Sequence, residues 1–220
     1  MGLIWNCRGL NNTLSPTIPK IRALLGSKFY DFLFLIETKC STSQIFPMFR
    51  TLGFVKNFGV DAVEASGGLW VGWRNESKMK LVKACNNFVI LLVEKYNGRL
   101  WYLVLSYGAP CLSMRASVLM EMEKWFDTCN FPFLIVGDFN QVDFSCDKLS
   151  SSQRPIDGAE EFNLWKIRNE LVDIPYKGPR FTWCNNLKGD KRVYEQLDKS
   201  MGSKEWFSLF PDTGIKHYPI

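Results

Sequence analysis

Residues 131–140 read FPFLIVGDFN and carry the clearest structural signal in the chain. An apolar run without polar alternation predicts a strand that is buried on both faces. The run ends at Gly137, which lets another group approach the backbone closely, and Asp138 and Asn140 follow. Because side chains alternate across a strand, we expect Asp138 and Asn140 to point to the same side. A carboxylate and a carboxamide at the mouth of a buried strand are costly unless they bind something, so the pair indicates a site.

The composition excludes several classes of protein. Of the 220 residues, 46% are hydrophobic and 15% aromatic, which suits a packed core and not a disordered chain. No apolar run approaches the roughly 20 residues that span a bilayer, and Asn6 and Arg8 interrupt the first apolar stretch too early for a signal peptide. Seven scattered cysteines and a single histidine argue against a zinc site and for free thiols in a reducing compartment. We therefore expect a nuclear or cytoplasmic protein, neither secreted nor transmembrane.

Strands and helices alternate along the whole chain. Helical spacing of apolar residues occurs at 18–27, 41–52, 113–128, 158–171 and 203–210. Strands are predicted at 2–6, 32–36, 53–59, 67–73, 100–105, 134–136, 180–184, 192–199 and 214–217, and a hairpin over 79–94 turns near Asn86 and Asn87. Residues 145–155 are polar and predict a loop. No repeat or linker is visible, so one α/β domain over residues 1–220, with strands in two layers and helices outside, is the simplest account.

Four of the apolar runs end in the same way. Each is followed at once by a polar residue, and these residues are Asn6, Glu37, Tyr107, and Asp138 with Asn140. Ligands in open α/β sheets bind outside the carboxyl ends of strands, so these side chains would meet at one rim if the strands are neighbours. Strands also commonly end in polar residues for no functional reason, but four such ends together favour a site.

The residue types of this rim predict a reaction class. Glu37 and Asp138 are hard oxygen donors, and with Asn6 and Asn140 they suit a Mg²⁺ ion that keeps several waters and shares a substrate phosphate. Tyr107 can donate a hydrogen bond to a developing oxyanion. The residues alone therefore indicate metal-assisted hydrolysis of a phosphoester.

The same residues belong to motifs that occur together in a known family. In chain order, these motifs are WNCRGL at 5–10, IETK at 36–39, SGGL at 66–69, YG at 107–108, GDFN at 137–140, GPRFTW at 178–183 and LD at 197–198. With them the chain resembles the endonuclease/exonuclease/phosphatase superfamily, and more closely the apurinic-endonuclease-like domain of plant non-LTR (LINE-type) retrotransposons. The resemblance covers essentially the whole chain.

This resemblance implies a fold and a cofactor. The fold would be a four-layered α/β sandwich of two packed, mixed β-sheets flanked by helices. The activity would be Mg²⁺-dependent hydrolysis of a phosphodiester, with Mn²⁺ as a substitute ion. Glu37 resembles the residue that binds the metal in the family. Asn6 resembles the residue next to that ligand, which also helps to hold the metal.

The resemblance also implies four catalytic roles. Tyr107 is similar to the tyrosine that contacts the phosphate. Asp138 resembles the residue that positions or deprotonates the attacking water, and Asn140 resembles a ligand of the phosphate and the transition state. Asp198 resembles the aspartate that orients a catalytic histidine.

The sequence departs from the family at its end. The family motif S-D-H, whose histidine binds the scissile phosphate, does not occur in this sequence. Residues 216–220 resemble the segment just before that motif, so we expect a domain truncated before S-D-H and lacking its last strand. His217, the single histidine, is expected to be an ordinary strand or surface residue. Gln196 stands where the family usually has an arginine, which weakens the expected support for Asp198.

Two further features have alternative interpretations. Residues 66–68, SGG, could cradle a phosphate, but a flexible entry to a strand is favoured because no helical pattern follows. Asp143 and Asp147 could serve the site, but solvated loop carboxylates are the favoured interpretation.

The basic segments 177–180 and 188–192 leave two interpretations open. They could grip a DNA backbone, or they could be solvated loops, and the net charge of +5 fits both. We expect Phe181 and Trp183 to lie in the core and not beside DNA.

The leading hypothesis is a retrotransposon-derived, Mg²⁺-dependent endonuclease that nicks DNA. We expect a monomer, with a reverse transcriptase domain only in a parent element. One alternative is a catalytically inactive relic of such a nuclease, because S-D-H is missing. The other is a phosphomonoesterase of the same superfamily.

Overall fold

The computed structural model describes residues 1–10, 17–62, 67–94, 97–152 and 154–219. The chain divides into two compact units, Met1–Leu100 and Trp101–Ile220. Ser66, the first residue of the SGGL motif, lies outside the described residues, whereas the two glycines that follow it are described.

The first unit combines helices with strands that alternate with them in the chain. The helices are α1 (Thr17–Ser27) and α2 (Thr42–Thr51). The strands are β1 (Gly2–Asn6), β2 (Phe32–Ile36), β3 (Lys56–Val60), β4 (Leu69–Trp73), β5 (Met79–Ala84) and β6 (Phe88–Glu94).

A mixed sheet with the order β1-β2-β4-β3 forms the centre of the first unit. β1 and β2 run parallel, whereas β4 is antiparallel to both β2 and β3. Every residue of β2 and β4 is buried, as the unbroken apolar runs predict for central strands. β5 and β6 form the predicted antiparallel hairpin.

The second unit begins with a long strand and a long helix. Its helices are α3 (Leu112–Phe126), α4 (Ala159–Arg168) and α5 (Lys204–Leu209). Its strands are β7 (Leu100–Tyr107), β8 (Phe133–Asp138), β9 (Lys148–Leu149), β10 (Val172–Asp173), β11 (Tyr176–Lys177), β12 (Trp183–Cys184), β13 (Tyr194–Glu195), β14 (Asp198–Gly202) and β15 (Ile215–Lys216).

Four of these strands lie side by side in the order β10-β14-β8-β7. β7 and β8 are parallel, and β14 is antiparallel to β8 and to β10, so this sheet is also mixed. β12, β13 and β9 form a small antiparallel sheet, and β11 pairs in parallel with β15.

Aromatic contacts attach helices to this sheet. The rings of Tyr102 on β7 and Trp125 on α3 have centroids 4.9 Å apart. Trp101 contacts Trp206 on α5 at 4.6 Å. The predicted α/β class, with mixed sheets flanked by helices, is therefore confirmed.

Among the helices of the described residues, none combines the length and the hydrophobicity needed to cross a membrane.

Two predictions for the second half of the chain were wrong. Residues 145–155 are not entirely loop, because a 3₁₀ turn at Ser145–Asp147 leads into β9. The single strand predicted over 192–199 is two strands, β13 and β14. The backbone N–H of Gln196 still donates to the carbonyl of Asp147 at 2.9 Å, next to the β13–β9 pairs, whereas Asp198 is already paired with Asp138 on β8. The chain therefore passes from one sheet to the next between Gln196 and Asp198.

Candidate active site

In the first unit, the ends of β1 and β2 bring Asn6 and Glu37 together. The strands are parallel neighbours, with Asn6 opposite Ile36, so the residue after β2 lies beside the end of β1. Nδ2 of Asn6 donates to Oε1 of Glu37 at 2.9 Å, and Oδ1 of Asn6 accepts the backbone N–H of Arg8 at 3.0 Å. Both ends of the Asn6 amide are thus held, which fixes the Glu37 carboxylate and leaves its Oε2 oxygen outside this hydrogen bond.

The turns after these two strands have unusual backbone conformations. Arg8, Glu37 and Lys39 have φ angles of 51°, 52° and 52°, in the left-handed region. Such conformations cost of the order of 1–3 kcal/mol each for non-glycine residues and cluster at functional sites. A backbone hydrogen bond from Gly9 to the carbonyl of Glu37, at 2.8 Å, ties the two turns together.

The glycine pair at 67–68 supports the same turn. The carbonyl of Gly67 accepts the backbone N–H of Lys39 at 3.1 Å. Gly68 has φ of +87°, and a Cβ there would lie 2.3 Å from Oγ1 of Thr38. β4 starts immediately afterwards, so the interpretation of a flexible strand entry is confirmed for these two residues.

The first unit offers a limited set of ligands for a metal. Among the described residues there is no cluster of three or more His, Cys, Asp or Glu side chains with the arrangement of a metal site. Glu37 and Asn6 supply a carboxylate and a carboxamide oxygen, and Mg²⁺ is commonly bound by one or two carboxylates with waters and substrate phosphate. Burial raises the pKa of the Cys7 thiol, and the nearby Cys40 and Glu37 raise it further, so Cys7 stays a neutral thiol. The oxygen donors present fit a hard cation and not a thiolate-bound one.

In the second unit, three predicted side chains form one row across three strands. Tyr107 on β7 is directly opposite Asp138 on β8, and Asp138 is opposite Asp198 on β14. Directly opposite residues lie on the same face of a sheet. Tyr107 and Asp138 are each 4% exposed, and Asp198 is half-buried. The structure therefore brings these three residues together.

Asn140 joins the row by a turn and not by strand alternation. β8 ends at Asp138, and Asn140 has φ of 50°, so the expectation of an alternating strand through both residues was wrong. Instead, the backbone N–H of Asn140 donates to Oδ1 of Asp138 at 2.8 Å. Nδ2 of Asn140 donates to the carbonyl of Gly108 at 2.7 Å. Both bonds place the carboxamide beside the ends of β7 and β8.

Close backbone packing at this turn requires glycine. A Cβ on Gly137 would lie 2.0 Å from the carbonyl oxygen of Ser106, and a Cβ on Gly108 would lie 2.0 Å from that of Phe139. The predicted close approach at Gly137 is thus confirmed, and it is to the neighbouring strand. The backbone N–H of Gly108 also donates to the carbonyl of Asp138 at 2.7 Å.

Asp198 is supported by a residue that the sequence analysis overlooked. Oγ1 of Thr182 accepts the backbone N–H groups of Leu197 and Asp198, each at 3.1 Å. The carbonyl of Leu197 accepts the N–H of Phe139 at 3.0 Å. The GPRFTW and LD motifs are therefore in direct contact, and their joint presence in the sequence was the signal that could have identified Thr182.

Asp143 belongs to a buried charge cluster, so its interpretation as a solvated loop carboxylate was wrong. Nζ of Lys166 donates to Oδ2 of Asp143 at 2.9 Å and to Oδ2 of Asp173 at 2.6 Å. Nζ of Lys199 lies 2.6 Å from Oδ1 of Asp143, an ion pair without hydrogen-bond alignment. Burial alone would lower the pKa of Lys166, but the charges and hydrogen bonds of Asp143 and Asp173 raise it. The cluster is held together because each buried charge has an opposite partner.

Asp147 is also buried, and this corrects a second interpretation. Its Oδ1 accepts a hydrogen bond from the guanidinium of Arg180 at 3.1 Å, so Arg180 in segment 177–180 has a structural partner. Residues 188–192 are exposed throughout. Phe181 and Trp183 are half-buried, which places them at the edge of the core.

His217 is a packing residue. Its ring stacks on Tyr176 with centroids 4.3 Å apart, and its Nδ1 lies 3.1 Å from the carbonyl of Pro179. It directly follows β15, and its backbone N–H donates to the carbonyl of Lys177 on β11 at 2.8 Å, which extends the pairing of the two strands. Because its side chain is buried, the surface position is excluded. Burial lowers its pKa, which keeps the ring neutral near pH 7.

The chain is similar in fold to solved structures, although its sequence matches no family model. No protein-family model and no curated protein matches the sequence. Solved structures do match: an AP endonuclease from Leishmania major has a TM-score of 0.73 at 16% identity, over 94% of this chain and 80% of the other. The chain has the endonuclease/exonuclease/phosphatase fold.

Two further structures of the endonuclease/exonuclease/phosphatase fold match most of the chain. The endonuclease domain of TRAS1, a telomere-specific non-LTR retrotransposon, has a TM-score of 0.63 at 14% identity, over 94% of this chain and 87% of the other. The second is the 3′ phosphatase NExo from Neisseria bound to product DNA hairpin, with a TM-score of 0.67 at 14% identity, over 93% of this chain and 86% of the other. The predicted superfamily fold is therefore confirmed, and its members among these structures include both nucleases and a phosphatase.

Proposed function

We propose that the chain is a retrotransposon-derived, Mg²⁺-dependent endonuclease that hydrolyses phosphodiester bonds in DNA. The observation that carries the proposal is the row of Tyr107, Asp138 and Asp198, to which Asn140 is hydrogen-bonded. The likeness in fold to an AP endonuclease and to a retrotransposon endonuclease domain supports it.

Glu37 and Asn6 are the proposed metal-binding residues. A bound Mg²⁺ would neutralise charge that develops on the phosphate. Glu37 supplies the negative charge, while Asn6 holds the carboxylate in one orientation through its 2.9 Å hydrogen bond. The Asn6 amide is itself held by the backbone N–H of Arg8. Loss of the Glu37 side chain or of the Asn6 side chain that orients it should therefore weaken metal binding.

Asp138 is the proposed base for the attacking water. The water oxygen would form a bond to phosphorus, one P–O ester bond would break, and the water proton would pass to the Asp138 carboxylate. The Asn140 N–H holds Oδ1 of that carboxylate at 2.8 Å. The Tyr107 hydroxyl and the Asn140 carboxamide would stabilise charge on the phosphate oxygens. Asp198 lies directly opposite Asp138 on the neighbouring strand, so its side chain is on the same face of the sheet as the proposed base.

The exposed segment 188–192 is the proposed contact for the DNA backbone. It presents Lys188 and Lys191 to solvent, whereas the guanidinium of Arg192 donates to the carbonyl of Leu187 at 2.8 Å and that of Arg180 donates to Asp147. Contacts of lysine and arginine with phosphates are independent of base sequence and weaken as salt increases.

Two observations favour alternative functions. One of the matching structures is a 3′ phosphatase, so the same row could release phosphate from a phosphomonoester. The alternative of a catalytically inactive relic rests on two observations: Ser-Asp-His does not occur in these 220 residues, and the ring of His217 stacks on Tyr176.

Glu37→Gln gives a sharp test of the proposal. Glutamine keeps an oxygen that can accept the hydrogen bond from Nδ2 of Asn6, but it removes the negative charge. Glu76→Gln, at an exposed position after β4, is the matched control. Nicking of supercoiled plasmid should require Mg²⁺ or Mn²⁺, fall by about 100-fold or more in Glu37→Gln, and persist in Glu76→Gln. Equal nicking by both variants would refute the proposal.

A second substrate separates the alternatives. Release of inorganic phosphate from a 3′-phosphorylated oligonucleotide, without plasmid nicking, would identify a phosphomonoesterase. Neither product at any metal concentration, from a protein that folds, would identify the inactive relic.

A further inference from the structure

A cavity of about 230 Å³ lies in the second unit, between β7, α3 and the first turn of α4. Its inner wall is formed by the buried side chains of Met122, Phe139 and Phe162, and the exposed Leu112 and Ala116 lie at its mouth. An apolar cavity of about 150 Å³ is large enough to bind benzene, so this one can hold an aromatic ring with a substituent.

Ser106 provides the polar group in the depth of this cavity. Its neighbour Tyr107 belongs to the catalytic row, and alternate residues of a strand face opposite sides. Tyr102, which shares the face of Ser106, contacts Trp125 on α3, so this face of β7 is the one that α3 covers. Ser106 is 0% exposed, and its Oγ has no hydrogen-bond partner among the described residues. A buried hydroxyl without a partner is unfavourable, and a bound molecule with one hydrogen-bonding group would satisfy it.

The wall around the mouth is fixed by an arginine. Nε of Arg115 donates to the carbonyl of Ala109 at 3.1 Å, and a second guanidinium nitrogen donates to Oε1 of Gln141 at 2.9 Å. The guanidinium of Arg115 thus donates to oxygens at the rim, where the buried Gln141 also lies, whereas Met122, Phe139 and Phe162 give the inner wall an apolar surface beside Ser106. A charged group in that interior would be uncompensated, so the occupant should be neutral.

We propose that this cavity is a second binding site, for a small neutral aromatic molecule that carries a single hydroxyl group. The ring would pack against Met122, Phe139 and Phe162, and the hydroxyl would hydrogen-bond to Oγ of Ser106. This site is distinct from the catalytic row, because it lies on the opposite face of β7. It does not depend on the proposed nuclease activity.

Phenol and benzene are the probes that test this site, and binding is measured by ligand-observed NMR and by calorimetry on the full chain. Phenol should bind saturably at millimolar concentrations. Ser106→Ala, a nearly isosteric change, should weaken phenol binding by about 2- to 10-fold and leave benzene binding unchanged, because only the hydrogen bond is lost. No saturable binding of phenol to the wild-type chain would overturn the proposal, and so would equal phenol affinity in Ser106→Ala.

A pair of variants on α3 locates the binding. Ala116→Trp places a large ring at the mouth of the cavity and should abolish binding of both probes. Ser117→Trp, at the next exposed position and outside the cavity lining, should bind both probes as the wild type does. Helical circular dichroism confirms that each variant folds. Retention of binding in Ala116→Trp, or equal loss in the two variants, would place the probes elsewhere and overturn the proposal.

Discussion

Removal of the charge of Asp143 should strongly destabilise the second unit. Asn at this position has nearly the same shape, but it leaves Lys166 and Lys199 facing a neutral group. The side chains of Asp143, Lys199 and Lys166 are only 4%, 6% and 8% exposed, so solvent screens these charges little. Breaking a buried ion pair by removing one partner costs about 3–5 kcal/mol. Lys166 keeps Asp173 as a partner, so we expect about 3 kcal/mol, at the low end of that range.

Urea denaturation measures this change. With a slope of about 1–3 kcal/mol per molar urea, a loss of about 3 kcal/mol shifts the midpoint by roughly 1–3 M. Asp212→Asn, an exposed aspartate, is the matched control and should change the stability by less than about 0.5 kcal/mol. A midpoint for Asp143→Asn that equals that of Asp212→Asn would refute the reasoning.

A double-mutant cycle assigns the loss to the pair. Lys199→Met alone leaves Asp143 paired with Lys166, so it should cost less than Asp143→Asn. If Asp143 and Lys199 interact directly, the double variant is less destabilised than the sum of the single variants. Additive effects would show that the 2.6 Å contact contributes no energy.

Three further predictions concern other parts of the chain. Burial holds the pKa of His217 below its ordinary value of 6.5, so the unfolded state binds the proton more tightly than the folded state. The free energy of unfolding should therefore fall as the pH drops below 6.5. Urea denaturation across this pH range should show a smaller fall for His217→Gln than for the wild type. The hydrogen bond with Ser113 lowers the pKa of the exposed Cys111 thiol, so mass spectrometry should find Cys111 alkylated first by iodoacetamide, and earlier labelling of another cysteine would contradict this. Gly108→Ala would place a Cβ 2.0 Å from a backbone carbonyl and should destabilise by about 1–3 kcal/mol, whereas Gly26→Ala in α1, which meets nothing within 4 Å, should not destabilise the fold in thermal denaturation.

The central strands and half of the site could be predicted because their signals are local. β2 and β8 are short apolar runs, a pattern typical of central strands. Every residue of β2 is buried as predicted, whereas Leu134 and Val136 on β8 are half-buried, so the expected burial on both faces was wrong for β8. Polar residues that directly follow parallel strands come together at the strand ends, which is why Asn6 and Glu37 meet as expected.

The remainder depends on contacts between residues far apart in the chain. Nothing near Asp143 in the sequence indicates burial, because its partners Lys166 and Lys199 lie on α4 and β14. Asn140 lies in a left-handed turn, since the chain must leave β8 there for its side chain to reach the carbonyl of Gly108. Local alternation could not reveal either arrangement.

The two faces of β7 place a parity constraint on the length of this strand. Ser106 and Tyr107 are adjacent in sequence, yet one faces the cavity under α3 and the other belongs to the row with Asp138. An insertion of one residue earlier in β7 that shifted the strand would exchange the two faces. The tyrosine side chain would then point into the cavity, and the serine hydroxyl would stand in the row with Asp138. An insertion of two residues would keep each on its own face. Length variants of this domain that retain both faces should therefore differ in β7 by even numbers of residues.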